Sequence, residues 1–191
     1  MSDGDDLIDE ILLEAEDKMD KAIAVAREDF ATIRTGRATP AMFNKITVDY
    51  YGTATPLNQL ASFQVPEARM IIISPYDKSS MAAIQKAIRD SDLGVNPADD
   101  GVIIRVVLPA LTEERRKEYI KMARTKAEQA RVSIRNIRRG AKDQLEALKK
   151  AGDAGEDAVR AAEKHLDEAT NTHVATVDEV LRAKEAELLE V

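Results

Sequence analysis

The sequence predicts a mainly α-helical protein in which a three-helix bundle is interrupted by a small inserted α+β domain. All six prolines lie between residues 40 and 109, and both flanks are rich in Ala, Glu, Lys, Leu and Arg, which favour helices. Apolar residues in the flanks recur every three or four positions, which is the spacing of one helical face. We therefore assign residues 1–36 and 111–191 to the bundle domain and residues 37–110 to the insert.

The first flank predicts one long helix. Its apolar residues run from Ile8 to Ile33 at helical spacing, so we expect the helix to reach about Thr35. Gly36 follows directly, and we expect it to terminate the helix with a positive φ angle.

The second flank predicts two more helices. Thr112 is a good N-cap residue, and apolar residues recur at threes and fours over residues 120–148. Gly152 and Gly155 mark a break, after which residues 159–180 carry a third apolar stripe. Three such stripes predict that the helices bury them against one another in a bundle.

The insert has a different pattern, with alternating apolar residues and turn signals. A tight turn is expected at Tyr51 and Gly52, and residues 79–90 have helical spacing. The expected strands are residues 45–51, 70–74 and 102–108. These features predict a small α+β domain with a few short strands and one helix.

The sequence contains no credible active site, cofactor site or metal site. It has no cysteine, which excludes disulfides and thiolate chemistry, and no glycine-rich phosphate loop. His165 and His173 lack metal-ligand spacing, and His173 falls on an apolar stripe, as a structural histidine would. Asp99 and Asp100 beside a glycine are typical of a loop turn. We therefore expect a protein that is not an enzyme.

The chain has no segment that predicts export or membrane insertion. The first residues are acidic, and no apolar run approaches the roughly 18 residues of a membrane span. We expect a soluble, cytoplasmic protein that does not bind membranes.

Charge is distributed very unevenly along the chain. The formal net charge is −7, but residues 112–142 hold 11 Lys and Arg against 4 Asp and Glu, whereas residues 1–36 and 152–191 each hold 4 against 11. A strongly basic segment therefore lies between two acidic ones. The local field, rather than the net charge, decides what binds there.

The basic segment places a stripe of cations along the second helix. Each member follows an apolar position by one residue, about 100° around the helix, and Arg139 widens the stripe. Arginine predominates, which favours bidentate contact with phosphate oxygens. Pairing with the two acidic helices of the same bundle is the alternative interpretation. The stripe consists of Arg124, Arg131, Arg135, Arg138 and Lys142.

Two segments join the insert to the flanks, and the first carries two arginines, Arg34 and Arg37. A pair of tethers containing glycine and proline predicts a hinge. The predicted hinge residues are Thr35, Gly36, Pro109 and Ala110.

Five segments distributed over the whole chain carry a family resemblance. They are IRTGRAT at 33–39, YYGTATPL at 50–57, SDLGVNP at 91–97, LTEERRK at 111–117 and AEQARVSIRNIRR at 127–139. Together they closely resemble the bacterial ribosome recycling factors.

The resemblance implies an L-shaped, two-domain protein with the dimensions of transfer RNA. It implies a monomer that acts after termination, together with the GTPase elongation factor G, to separate the 70S ribosome into subunits without hydrolysing anything itself. It further implies that the bundle binds large-subunit ribosomal RNA. The residues implied to contact RNA are Arg135, Arg138, Arg139, Arg34, Arg37 and, as a weaker match, Arg131.

The sequence departs from the family pattern at two places. Ala110 occupies a position at which many relatives have a second hinge proline, and Asp3, Asp5 and Asp6 are extra acidic residues that could be disordered. A helical scaffold or cochaperone is the alternative class. It would self-associate through its apolar seams and tolerate Arg138→Glu, whereas a translation factor would lose ribosome affinity.

Overall fold

The computed structural model describes residues 3–190, which form two compact units. The first contains the described residues up to Phe30 together with Ala123–Lys184. The second contains Ala31–Met122 and the described residues from Glu185 onward. The ends of the long helices thus belong to the second unit, and the predicted limits near residues 36 and 111 stay predictions. None of the helices within residues 3–190 has the length and apolar character that a membrane span requires.

The described secondary structure consists of five α-helices, six strands and two short 3₁₀ turns. The helices are α1 (Asp3–Thr32), α2 (Leu57–Leu60), α3 (Met81–Arg89), α4 (Glu113–Ala151) and α5 (Glu156–Leu189). The strands are β1 (Thr47–Tyr50), β2 (Thr53–Pro56), β3 (Ala61–Glu67), β4 (Met70–Pro75), β5 (Pro97–Asp99) and β6 (Ile104–Val107).

The first unit is built from α1, α4 and α5, as the three apolar stripes predict. Each helix buries the residues of its stripe, with Met19 on α1, Ile134 on α4 and Leu166 on α5 fully buried. The buried face of α4 is mostly alanine, including Ala123 and Ala127. Small side chains let neighbouring helix axes approach closely, and burial of the stripes supplies the main driving force for packing.

The ends of the helices match the sequence signals in part. The Thr112 hydroxyl oxygen accepts a hydrogen bond from the backbone N–H of Arg115 at 3.2 Å, which confirms the N-cap of α4. The first helix ends at Thr32, three residues earlier than expected. The expected positive φ at Gly36 is wrong, because among the described residues only Tyr51 and four other glycines have one.

The acidic N-terminal residues are ordered as the first turn of α1. Asp3, Asp5 and Asp6 lie there, where carboxylates interact favourably with the helix dipole. Gly4 is buried in the same turn, and a Cβ atom at this position would overlap the carbonyl oxygen of Asp153 in the α4–α5 connection. The start of α1 therefore packs backbone to backbone against that connection.

The second unit contains two antiparallel sheets. The first is the β1–β2 hairpin, closed by Tyr51 and Gly52 with φ of 49° and 80°, which confirms the expected tight turn. The other sheet has the strand order β3-β4-β6-β5. Side chains such as Ile73, Ile84 and Ile104 fill one apolar core. Sequence reasoning missed β2, β3 and β5 because these edge strands are short or largely exposed and lack apolar alternation.

Candidate nucleic-acid interface

The arginines of α4 lie close together on the helix surface. At 100° per residue, Arg131, Arg135 and Arg138 fall within about 60° of one another, and Arg139 lies about 100° beyond Arg138. All four belong to the first unit. Their surroundings differ, however. Helix geometry aligns these arginines, but it does not determine which carboxylates of α5 lie near each of them.

Arg131 is held in ion pairs within the bundle. Its side chain is 19% exposed, its Nε donates to Asp178 Oδ1 at 2.8 Å, and its Nη1 donates to Glu128 Oε2 at 3.0 Å. Burial lowers the pKa of the Arg131 guanidinium, but the hydrogen bonds to Asp178 and Glu128 outweigh burial and leave that pKa raised. For Arg131, the interpretation as intramolecular charge pairing fits the structure.

Arg135 and Arg138 make longer, more exposed ion pairs. Arg135 Nη1 lies 3.7 Å from Glu128 Oε1, and Arg138 Nη1 lies 3.6 Å from Asp167 Oδ1. The Arg138 side chain is 42% exposed, although its Nε is buried without a hydrogen-bond partner among the described residues. Arg138 is therefore less free than its position in the sequence suggests, and a carboxylate introduced there would face Asp167.

Arg139 is the most open member of the stripe. Its side chain is exposed, and it forms no ion pair with any residue between 3 and 190. Lys142, one turn further along, is half-buried and likewise without an ion pair in the described part of the chain. We call Arg135, Arg138 and Arg139 the arginine face. Positive charge remains available there after the internal pairs are counted.

Arg34, predicted to contact RNA, lies inside the second unit. Only 6% of the residue is exposed, and its Nη2 donates to the carbonyl oxygen of Pro109. Burial lowers the pKa of the Arg34 guanidinium, while a hydrogen bond with Tyr119 opposes that effect. The RNA contact of Arg34 stays a prediction. We leave it out of the arginine face because a buried guanidinium presents no surface to phosphate.

The other residues predicted around the two connecting segments are more accessible. The Arg37 side chain is 77% exposed, and its Nε lies 4.0 Å from Glu190 Oε2. The buried Thr35 hydroxyl accepts the Arg37 N–H at 3.3 Å, which fixes the local backbone. Gly36 is half-buried and Ala110 is exposed.

The histidines and loop aspartates have structural surroundings. His173 lies with Nδ1 2.6 Å from the Ala169 carbonyl oxygen and Nε2 2.8 Å from Asp20, as expected for a satisfied histidine. Asp99 and Asp100 accept backbone N–H groups of their own loop, which confirms the turn interpretation. Within residues 3–190, no group of three or more His, Asp or Glu side chains is arranged to hold a metal ion.

Sequence reasoning missed two arginines, Arg69 and Arg116. They are 47 residues apart in the chain but line one cavity with Arg37 in the second unit. No local motif connects them, so only the LTEERRK segment, which contains Arg116, could have drawn attention to either residue.

Comparisons with known proteins agree on one family. Residues 26–189 match the family model described as ribosome recycling factor. The chain is 70% identical over 185 residues to the ribosome-recycling factor of Acidothermus cellulolyticus and 65% identical to that of Frankia alni, in each case covering 97% of this chain and 100% of the relative.

Solved structures agree with the sequence comparisons. A solution structure of the ribosome recycling factor superposes with a TM-score of 0.75 at 38% identity, covering 96% of this chain and 98% of that one. A second similar chain, with a TM-score of 0.67 and 39% identity over 100% of both chains, comes from models of the T. thermophilus ribosome recycling factor and the E. coli elongation factor G bound to the E. coli post-termination complex.

Proposed function

Because this chain belongs to the ribosome recycling factor family, we propose that it anchors on large-subunit ribosomal RNA through the arginine face of α4. Together with elongation factor G, it then separates post-termination ribosomes into subunits in the cytoplasm. Members of this family are non-catalytic translation factors, in agreement with the expectation that the chain is not an enzyme. The similar chain bound with elongation factor G to a post-termination complex supports the choice of partners.

The observation that carries this proposal is the accessible charge on the arginine face. Arg139 is exposed and has no ion pair with any described residue, and the pairs of Arg135 and Arg138 are 3.7 and 3.6 Å long. Exposed ion pairs of this kind contribute only about 0–1 kcal/mol each. Exchanging a carboxylate for a phosphate oxygen therefore costs little, and each exchange releases counterions from the RNA.

The acidic segments on either side of α4 support a defined orientation of docking. Residues 1–36 and 152–191 each hold 4 Lys and Arg against 11 Asp and Glu. These carboxylates repel phosphates wherever RNA approaches α1 or α5, so attraction within the first unit is strongest at the arginine face. Structured RNA presents a fixed array of phosphates, and recognition by shape follows from that array.

Sedimentation with ribosomes at two salt concentrations tests the anchor. Arg139→Glu should weaken ribosome binding by about tenfold or more, because it replaces a phosphate-binding cation with an anion. Helix content should not change, since Arg139 makes no ion pair with any described residue. Arg139 gives a cleaner test than Arg138, where the introduced carboxylate would face Asp167.

Arg160→Glu is the matched control. Arg160 is also an exposed arginine of the first unit, but it lies on α5 and pairs with Glu156 of its own helix at 3.3 Å. It should sediment with ribosomes like the unmodified protein. Equal binding by Arg139→Glu and the unmodified protein would overturn the proposed anchor.

The predicted hinge completes the proposal. Thr35, Gly36, Pro109 and Ala110 would let the protein transmit force from elongation factor G, whose GTP hydrolysis drives subunit separation, while this chain acts as a passive lever. GTP hydrolysis by the purified chain alone, at the rate of subunit separation, would contradict the passive role.

A further inference from the structure

A cavity of about 810 Å³ with a mixed polar and apolar lining lies in the second unit beside the two connecting segments. We call it the linker cavity. Three arginines, two glutamates and two threonines line it together with Gly36, Ala68, Ala110 and Leu111. The polar side chains are Arg37, Arg69, Arg116, Glu187, Glu190, Thr35 and Thr39. Its volume falls within the roughly 300–1,000 Å³ of small-molecule sites.

Backbone hydrogen bonds hold the turn that carries Arg69 against both connecting segments. The N–H of Ala38 donates to the carbonyl oxygen of Ala68 at 2.7 Å, and the N–H of Leu108 donates to the carbonyl oxygen of Arg69 at 2.7 Å. Residues 68–69 join β3 to β4, so these bonds extend the order of the sheet to the connecting segments. These bonds fix the backbone of Arg69 beside the cavity, and its exposed side chain extends from that backbone.

The arginines of the linker cavity are incompletely paired. The Nε atom of Arg116 is buried and has no hydrogen-bond partner among the described residues. Arg69 forms no ion pair within the described part of the chain, and Arg37 has only the exposed 4.0 Å contact with Glu190. A buried guanidinium N–H that lacks an acceptor is destabilising, which favours a ligand rich in acceptor oxygens.

Further positive charge lies directly beside the cavity. Arg34 is buried next to Thr35, and its guanidinium donates a hydrogen bond to the carbonyl oxygen of Pro109 in the second connecting segment. Burial is the main cause of the lowered pKa of Arg34, and repulsion from Arg115 adds to it. Arg34 does not itself line the cavity, so its charge acts there only at a distance.

We infer that the linker cavity binds the phosphate group of a nucleotide through Arg69 and Arg116, with the adjoining ribose hydroxyls donating to carboxylate oxygens. Three arginines and two glutamates give the lining a net charge of only about +1. A sugar phosphate should therefore bind better than a bare anion, because its hydroxyls can donate to the carboxylates while its phosphate contacts the arginines. Arginine forks match phosphate oxygens, and carboxylates accept hydroxyl protons. Thr39 leaves its hydroxyl uncommitted to helix capping, so it can contact the same group.

The phosphate can come from a free mononucleotide or from an RNA strand. This site is separate from the arginine face, because the linker cavity is formed by residues of the second unit and the arginine face by residues of the first. The inference therefore stands or falls independently of the proposed ribosome anchor.

Nuclear magnetic resonance titration of the full chain tests the site. Adenosine 5′-monophosphate should shift the backbone amide signals of Thr39 and Ala110 saturably, whereas adenosine should not. Changing Arg69 and Arg116 together to glutamine should weaken nucleotide binding at least about tenfold. Arg160→Glu should leave nucleotide binding unchanged, because Arg160 lies on α5, outside both the cavity and the arginine face.

A second variant controls for misfolding. Changing the same two arginines to lysine keeps the charge and should retain part of the affinity for the nucleotide. Equal binding of adenosine and its monophosphate, unchanged binding by the double glutamine variant, or no saturable shift with any phosphate-containing probe would overturn the inference.

A single-stranded RNA hexamer identifies the source of the phosphate. A hexamer that shifts the amide signals of Thr39 and Ala110 and binds there at least about tenfold tighter than the monophosphate would support the inference with an RNA strand as the ligand. Binding of the monophosphate as tightly as the hexamer would support it with a free nucleotide as the ligand.

Discussion

On α4, arginines are spaced along one helix and lie at its surface, whereas the arginines beside the connecting segments come from distant parts of the chain. Arg139 is exposed without an ion pair in the described structure, while Arg34 is 6% exposed and donates to Pro109, 75 residues away. Arginine thus has different roles at the two places. One placement leaves charge available to a partner, and the other uses it to connect two segments of one unit.

Arg34→Met should have the largest effect on stability, because Arg34 is the arginine that the fold buries. Removing the buried guanidinium leaves the Pro109 carbonyl oxygen and the Tyr119 hydroxyl without their partner. The free energy of unfolding should fall by about 3 kcal/mol, measured by urea denaturation.

Arg27→Met is the matched control, because Arg27 is an exposed arginine on α1. It should change the free energy of unfolding by less than about 0.5 kcal/mol. A loss for Arg34→Met no larger than that of the control would show that the buried guanidinium contributes nothing to stability.

Arg131→Met tests whether α4 itself contains both internally paired and accessible arginines. Arg131 pairs with Asp178 and Glu128 and is 19% exposed, so its loss should lower the free energy of unfolding by about 1.5 kcal/mol. Arg135→Met should cost less than about 0.5 kcal/mol, because the Arg135 pair is long and exposed. Thermal denaturation of both variants checks the difference, and equal midpoints would contradict it.

The salt dependence of ribosome binding also distinguishes accessible arginines from arginines that are paired within the bundle. Arg138→Gln should reduce the slope of log affinity against log salt by about 0.7–0.9, the value for one phosphate contact. Arg131→Gln should leave the slope unchanged, since its guanidinium is already paired within the bundle. Sedimentation at several salt concentrations gives both slopes, and a larger decrease for Arg131→Gln would reverse the assignment.

Gly36 should give the smallest effect on stability. A Cβ atom there would lie 4.0 Å from the nearest non-neighbouring atom, and φ is not positive, so Gly36→Ala should change the free energy of unfolding by less than about 0.5 kcal/mol. Gly152→Ala should cost about 1 kcal/mol because φ is +77° there. Equal losses measured by urea denaturation would contradict this difference.

Gly36→Pro tests the predicted hinge instead of stability. It should preserve ribosome binding but slow subunit separation, because proline restricts φ. Light scattering follows the separation, and an unchanged rate would count against a hinge at this residue.

Long, regular elements could be predicted from the sequence. The three helices follow apolar stripes, and the α4 N-cap follows from Thr112, because these signals act within a few residues. The edge strands β2, β3 and β5 were missed because their positions depend on pairing with distant segments. Gly36 was given a positive φ because glycine permits that conformation, although nothing nearby requires it.

Local sequence patterns are sufficient to predict the three long helices, the alignment of arginines on α4 and the family. Each of these depends on local spacing or on motifs. Which arginines remain available depends on long-range packing, because Arg131 pairs with a carboxylate 47 residues away while Arg139 pairs with none in the described chain. The tertiary structure also brings Arg69 and Arg116 together at the linker cavity. Long-range backbone hydrogen bonds, which no local pattern encodes, place the turn of Arg69 there, and α4 carries Arg116.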